Sequence, residues 1–474
     1  MVISIAICAV NIIKLFCKWT STPFVNVIDS VPTPIWAVPF PTVVICPHLH
    51  VKLSSFNVTK LSGLEMFYAS LVCPRMANKR RTMEHRLDQN QLNQLLRFLV
   101  KGSPSCTDIV KTCNWPTQHN NKWHTENCCD MFQPIFTNYG LCFAFNSLPL
   151  NGMTNSTLAW QKSFNPQSAA KSLLWGLDIG YPKTFPPDVN MQPLRVMASG
   201  EANGLGLELF LNTSEHQYAC DGNSLGFTVL ISSPADHVYT STVLRIPMDR
   251  MTTIEVSPIT YKTDSSLRSL APYQRQCSFQ NERRLEHYEY YTDSNCQHDL
   301  LVKEARRMCN CVLFNWPRVS LQESVCSTDE DFQCITNVNG KVEEQLIYAY
   351  YADSEERREQ REQSKSCHPS CNDVIYSSQV FYSDLIRDYG DGTPHWGIPG
   401  QSEVTQINVH FYEDFFLGQH RHAQYDDYYF AGAIGGLLSL FLGFSIISVA
   451  ELVYFVILRP AYTILKEMYY QRNK

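Results

Sequence analysis

Gly432–Leu452 reads GAIGGLLSLFLGFSIISVAEL. Around it, from Phe430 to Leu458, Glu451 is the only charged residue. As a helix at ~1.5 Å per residue this stretch is ~43 Å long, more than the ~30 Å hydrocarbon core of a bilayer needs, so it must tilt, break or project. Asp426 and Asp427 precede it, and Arg459, Lys466, Arg472 and Lys474 follow. The positive-inside bias sets the C-terminus in the cytosol and everything before Phe430 outside. Within the span, Gly432, Gly435, Gly436 and Gly443 form a small-residue stripe with Ser439, Ser445 and Ser448. Such a stripe serves a close helix–helix contact, or it lines a pore. Gly443-Phe444-Ser445 lies mid-span, where glycine permits an unwound backbone whose carbonyls replace the hydration shell of a small cation. Glu451 lies ~12 Å further in at helical rise. A carboxylate there is expensive unless it faces water or an ion path, which favours the pore.

Outward from this span the rest of the chain reads as one large extracellular domain. Its 474 residues carry 39 basic and 45 acidic side chains, with 18 % charged and 44 % apolar residues. This balance excludes a disordered chain, a collagen and a basic nucleic-acid binder. A mean hydropathy of −0.20 excludes a multi-span transporter. Of 18 cysteines, 16 fall between residues 20 and 429, an even number that points to disulfides in an oxidising compartment. Three glycosylation sequons, at Asn57, Asn155 and Asn212, lie in the same region. At the N-terminus, Val2–Phe16 is apolar apart from Asn11 and Lys14. It has no basic n-region and no A-x-A cleavage site, so it reads as a first span entered partway through rather than as a cleaved signal.

Several segments have a readable period. LGLELFLN (Leu205–Asn212), LGFTVLIS (Leu225–Ser232) and EVTQINVHFY (Glu403–Tyr412) read as strands, the last leading toward the membrane. QHDLLVKEARRM (Gln297–Met308) and the charge-rich Val342–Ser364 read as helices. The expected class is α+β: a disulfide-rich domain with a palm-like sheet and thumb and finger helices, between two transmembrane helices of which the first is truncated. The domain boundaries are 1–19 for the first span, 20–429 for the ectodomain, 430–458 for the second, pore-lining span and 459–474 for a cytosolic tail. His48-Leu-His50 and His420-Arg-His422 have the residue types of metal ligands, but no third ligand is suggested by spacing. Cys309-x-Cys311 and Cys367-His368-x-x-Cys371 are better read as disulfide partners than as zinc ligands. No metal, no cofactor and no enzymatic chemistry is expected.

The same residues resemble, in order along the chain, the degenerin/epithelial sodium channel family, and most of all its insect pickpocket branch. PFPTVVICP (Pro39–Pro47) and FTNYGLCFAFN (Phe136–Asn146) are similar to two family blocks that follow the first span. GLGLELFLN and GFTVLISSP resemble its palm strands, while YQRQC, YTDSNC and CNCVLFNWPR (Cys309–Arg318) resemble the entry to its thumb. The family's second-span pattern is met from Gly435 to Glu451.

The resemblance implies an amiloride-sensitive, ligand- or mechanically gated, sodium-selective channel subunit in the plasma membrane. It would act as a homotrimer or heterotrimer with related subunits, in contact with sodium ions and the lipid bilayer and not with nucleic acid. It implies that Gly443, Phe444 and Ser445 form the selectivity tract, Gly432 the gating position and Ser439 part of the blocker site, with Glu451 in the inner pore. It implies the pairs Cys46–Cys142, Cys277–Cys371, Cys296–Cys367, Cys309–Cys334 and Cys311–Cys326. Cys113 would join Cys128 or Cys129, and Cys73, Cys106 and Cys220 have no assigned partner. Two thumb cysteines that pair with each other in the family are both absent here, at Leu300 and Lys365, so no orphan thiol results. The family's cytosolic His-Gly segment has no counterpart before Val2. An incomplete gene product or a non-conducting auxiliary subunit is the alternative this departure raises, and a single-span receptor or adhesion domain with a cleaved signal would account equally well for the cysteines and sequons.

Overall fold

Thr42–Pro47 (TVVICP) and Gly140–Phe145 (GLCFAF) carry no charge, and each is buried along its whole length. A strand apolar on both faces needs packing on both sides. In a computed structural model, these two are adjacent inner strands of a five-stranded sheet. The structure describes residues 2–21, 24–79, 82–116, 128–149, 175–183, 191–238, 242–320, 323–351, 367–388, 394–396, 403–424, 427–443 and 445–472. The chain divides into two compact units. One comprises Met1–Val27, Thr263–Arg275 and His420–Lys474, the other Ile28–Lys262 and Gln276–Gln419.

The larger unit holds two sheets. The first runs Phe132–Thr137, Gly140–Phe145, Thr42–Pro47, Gly226–Ser232, Thr242–Pro247, each antiparallel to the next. In the second, Arg250–Thr263 pairs antiparallel with Asp373–Asp384 on one edge and parallel with Val404–Phe411 on the other. Val404–Phe411 continues to Leu205–Phe210, which pairs with Val110–Asn114. The alternation read in Glu403–Tyr412 has its cause here: Thr405, Ile407 and Val409 are buried and the residues between them are half-exposed. Phe40 ties the core together. Its ring meets Trp115 at 4.9 Å, Phe411 at 5.5 Å and Phe145 at 6.2 Å, in the edge-on geometry that aromatic quadrupoles favour.

The helix expected at Gln297–Met308 runs from Asp293 to Cys309. It starts earlier because Thr292 caps it, its hydroxyl accepting from the Asn295 N–H at 3.0 Å. Its partner runs Asp329–Tyr351, so the helix expected to start at Val342 starts well before it. Ile335, Val338 and Val342 are buried in one cluster with Leu301, Val302 and Ala305. The portion of that expected helix beyond Tyr351 lies outside the described residues. Asp299 anchors the first helix to the loop before it, accepting from His287 Nδ1 at 2.7 Å, the His287 N–H at 2.9 Å and Lys303 Nζ at 2.6 Å. Burial works to raise this carboxyl, and the His287 and Lys303 bonds outweigh it and hold it below the usual range.

Eight disulfides lie in the larger unit. Five are Cys46–Cys142, Cys277–Cys371, Cys296–Cys367, Cys309–Cys334 and Cys311–Cys326. Cys113 joins Cys128 and Cys106 joins Cys129, while Cys73 pairs with Cys220. Cys8 and Cys17 are free thiols. Cys73–Cys220 spans 147 residues, the longest separation of the eight. Closing a loop of that order restricts the unfolded chain by about 4–5 kcal/mol. A C73S/C220S variant is expected to lose most of its surface expression, measured by biotinylation of intact cells. Undiminished expression would contradict the estimate.

Candidate functional site

In the smaller unit, Val2–Ser21 forms a 20-residue helix, and its window Ile3–Thr20 is long and apolar enough to cross a membrane. It extends past the apolar run ending at Phe16. Thr20 Oγ1 bonds back to the Phe16 and Cys17 carbonyls at 3.0 Å, which satisfies a hydroxyl on a helix without a competing turn. This helix packs along Asp427–Leu442. Trp19 stacks on Phe430 at 4.7 Å, and the Cys8 thiol lies 3.8 Å from the Leu437 carbonyl.

The contact faces only one side of the C-terminal helix. Ala433, Ile434, Leu437, Leu438 and Phe441 are partly covered, whereas Gly432, Gly435, Gly436, Ser439 and Gly443 are exposed. Gly432, Gly436, Ser439 and Gly443 are spaced four, three and four residues apart, so they lie along one face. A Cβ built on Gly432, Gly435 or Gly436 meets no atom within 4 Å. Among the described residues, no neighbour requires these glycines.

The stretch from Phe430 to Leu458, too long to cross as one straight helix, is divided at the glycine where an unwound backbone was expected. The first helix ends at Leu442, and Gly443 turns left-handed with φ +67°. Only glycine adopts that conformation without a Cβ penalty. A second helix, Ile446–Val453, restarts at Ser445, whose hydroxyl accepts from the Ser448 N–H at 3.3 Å while Ser448 Oγ faces the Ser445 N–H. The helix then passes through a π-turn, Tyr454–Leu458, into Arg459–Arg472. The break leaves carbonyls at the end of the first helix without helical partners, in a segment with no charged side chain. Phe444 lies outside the described residues. Glu451 is exposed on the second helix. The reciprocal Ser445–Ser448 cap went unread in the sequence, although S-x-x-S before an apolar run is a readable start signal.

Just before this segment, His420 and His422 bring their rings to 4.1 Å on the strand Gln419–Ala423, while Arg421 points to Asn26 at 3.0 Å and over the Phe24 ring. Asp264 lies beside them. Its carboxyl is held below the usual range chiefly by the Ser266 N–H, with the two imidazoles adding to the effect. His48 and His50 are buried in the larger unit, engaged with Thr228 and Asp221. Among the described residues, no three His, Cys, Asp or Glu side chains form a group suited to a metal ion. Asn57 and Asn212 each use Oδ1 to accept from the hydroxyl two residues on, at 2.7 Å. Asn155 lies outside the described residues.

The family model described as amiloride-sensitive sodium channel matches residues 1–455. Pickpocket protein 28 of Drosophila melanogaster is 23 % identical over 459 residues, covering 94 % of this chain and 71 % of that protein. Sodium channel protein Nach of the same species is 24 % identical over 489 residues, covering 96 % and 81 %. Pickpocket protein 11 is 23 % identical, and the match spans 66 % of its length.

Proposed function

This chain belongs to the amiloride-sensitive sodium channel family, and from that premise we propose that it is a subunit of a trimeric, sodium-selective cation channel of the plasma membrane. The relatives named as sodium channels support the class. One observation supports the pore position: Gly432, Gly436, Ser439 and Gly443 share an exposed face on a helix whose other side meets the N-terminal helix. In a trimer three such faces turn to a common axis. The broken backbone at Gly443-Phe444-Ser445 then offers carbonyls to a partly dehydrated sodium ion. Gly432 acts as the gate, Ser439 contributes to the amiloride site, and Glu451 rings the inner mouth. In this reading residues 1–19 and 430–458 span the membrane, 20–429 lie outside and 459–474 lie in the cytosol, with glycans on Asn57, Asn155 and Asn212. The cross-linked helices Asp293–Cys309 and Asp329–Tyr351 form the thumb. They transmit ligand binding or mechanical load to the spans as displacement, because disulfides limit how far they yield.

Cysteine scanning tests the reading. Cysteines at Gly432, Gly436 and Ser439 are expected to react with a water-soluble thiosulfonate and to lose current. Cysteines at Leu437 and Phe441 are expected to be protected. Protection along the whole segment in a normal surface trimer would reject the pore.

A further inference from the structure

The larger unit contains a cavity of about 280 Å³ that the ion pathway does not use. It lies where the Thr42–Pro47 strand ends, beside the helix Gly63–Val72 and the Gly226–Ser232 strand. Cys46 and Cys73 line it, and each is locked in a disulfide, to Cys142 and Cys220. Walls fixed in this way are preformed, so a ligand would spend little of its binding energy on ordering them.

The polar groups of the wall divide into those already satisfied and those left over. Behind the wall residue His50, Asp221 is fully buried. Its carboxylate accepts from the His50 N–H at 2.8 Å, His50 Nδ1 at 3.1 Å and the Gln217 N–H at 2.9 Å. That negative charge is spoken for. His48 donates from Nδ1 to the Ser224 carbonyl at 3.2 Å, so Nε2 accepts from the Thr228 hydroxyl at 3.0 Å. Burial, reinforced by His50 and Arg245, pushes this imidazole down to about 4, which keeps it neutral. Arg245 stands directly opposite Thr228 in the strand register, on the same face. Among the described residues no carboxylate pairs with its guanidinium. The remaining wall includes Leu71, Val72 and Pro47. Among the described residues the site therefore offers one solvent-facing cation that no carboxylate neutralises, an imidazole fixed as neutral and an apolar floor.

We propose that this cavity is a binding site for a small organic monocarboxylate with a short apolar body, its carboxylate on Arg245 and its body against Leu71, Val72 and Pro47. The volume sits at the lower end of ligand pockets, which suits about ten heavy atoms. A planar guanidinium matches a carboxylate with two parallel hydrogen bonds. Among the described lining residues a dianion would find no second cation, and an amine would face Arg245 with no free acid to receive it.

Benzoate is the probe, tested by calorimetry and saturation-transfer NMR on the purified full chain in lipid nanodiscs. It is expected to bind saturably, at least about tenfold more tightly than benzyl alcohol or benzylamine. Arg245→Gln, at an exposed position, should bring benzoate to the level of benzyl alcohol, and Arg245→Lys should retain part of the difference. Leu71→Trp should block benzoate by filling the cavity with Arg245 intact. Equal binding of all three probes by the wild-type chain, or benzoate binding unchanged by Arg245→Gln, would overturn the proposal. The readout is binding and not current, so its failure is separable from failure of the channel reading.

Discussion

Replacing Gly432 with phenylalanine is expected to leave the chain folded and to raise its resting, amiloride-blockable sodium current at least about tenfold, a shift of about 1.4 kcal/mol or more toward the open state. The prediction rests on what surrounds the position. Gly432 is exposed inside the helix Asp427–Leu442, and a Cβ there meets nothing within 4 Å. Phenylalanine in a helix interior is favoured over glycine by a few tenths of a kcal/mol, roughly 0.3–0.5, so helix propensity does not oppose the change. Among the described residues nothing stands against a Cβ there, so in the proposed trimer the ring would meet another copy of the same face across the axis. If the closed state brings those faces together, three added rings disfavour it and the wider open state persists. Two-electrode voltage clamp with amiloride washed in and out reads the effect. A variant that reaches the surface normally and shows no resting current would mean that Gly432 faces lipid rather than a sister helix. The same substitution at Leu437, which is partly covered against the N-terminal helix, should instead reduce assembly.

What was legible in the sequence follows from how local each feature is. Val404–Phe411 alternates because one face of a sheet is buried, and period two survives in the residues. The glycine at 443 announces a permitted break, since permission is a property of one residue. The start of the helix at Asp329 was hidden because Thr336, Val338 and Gly340 weaken its helical propensity, and only packing on Leu301, Val302 and Ala305 overrides that. Cys73 and Cys220 lie 147 residues apart and nothing local links them. The cavity was invisible for the same reason. His48, Leu71, Tyr139 and Arg245 come from four separate stretches that meet only after two disulfides and a sheet have formed. The division of the stretch from Phe430 to Leu458 was legible, by contrast, from its excess length and from Gly443, whereas the Ser445–Ser448 cap that fixes where the second helix begins was not.

Gly443→Ala should be the most damaging single substitution in the C-terminal segment. With φ +67° the residue sits in the left-handed region, where an L side chain costs about 1–2 kcal/mol. No atom lies within 4 Å of the added methyl, so the penalty is purely one of backbone. In a threefold assembly it applies in every copy, about 3–6 kcal/mol against the broken conformation if the subunits act together. Straightening the helix would remove that penalty. It would also give the end carbonyls of Asp427–Leu442 helical partners again and take them away from an ion. Sodium current is therefore expected to fall by about two orders of magnitude or more, with sodium no longer preferred over potassium in what remains. Surface expression should be unchanged, because a straight apolar helix still spans a bilayer. Gly443→Asn separates backbone conformation from loss of glycine itself. Asparagine tolerates the left-handed region, so it should retain measurably more current than alanine. Reversal potentials under sodium–potassium exchange decide the matter. Wild-type current and selectivity in the alanine variant would show that the turn at Gly443 has no part in ion coordination, and the carbonyl mechanism would have to be abandoned.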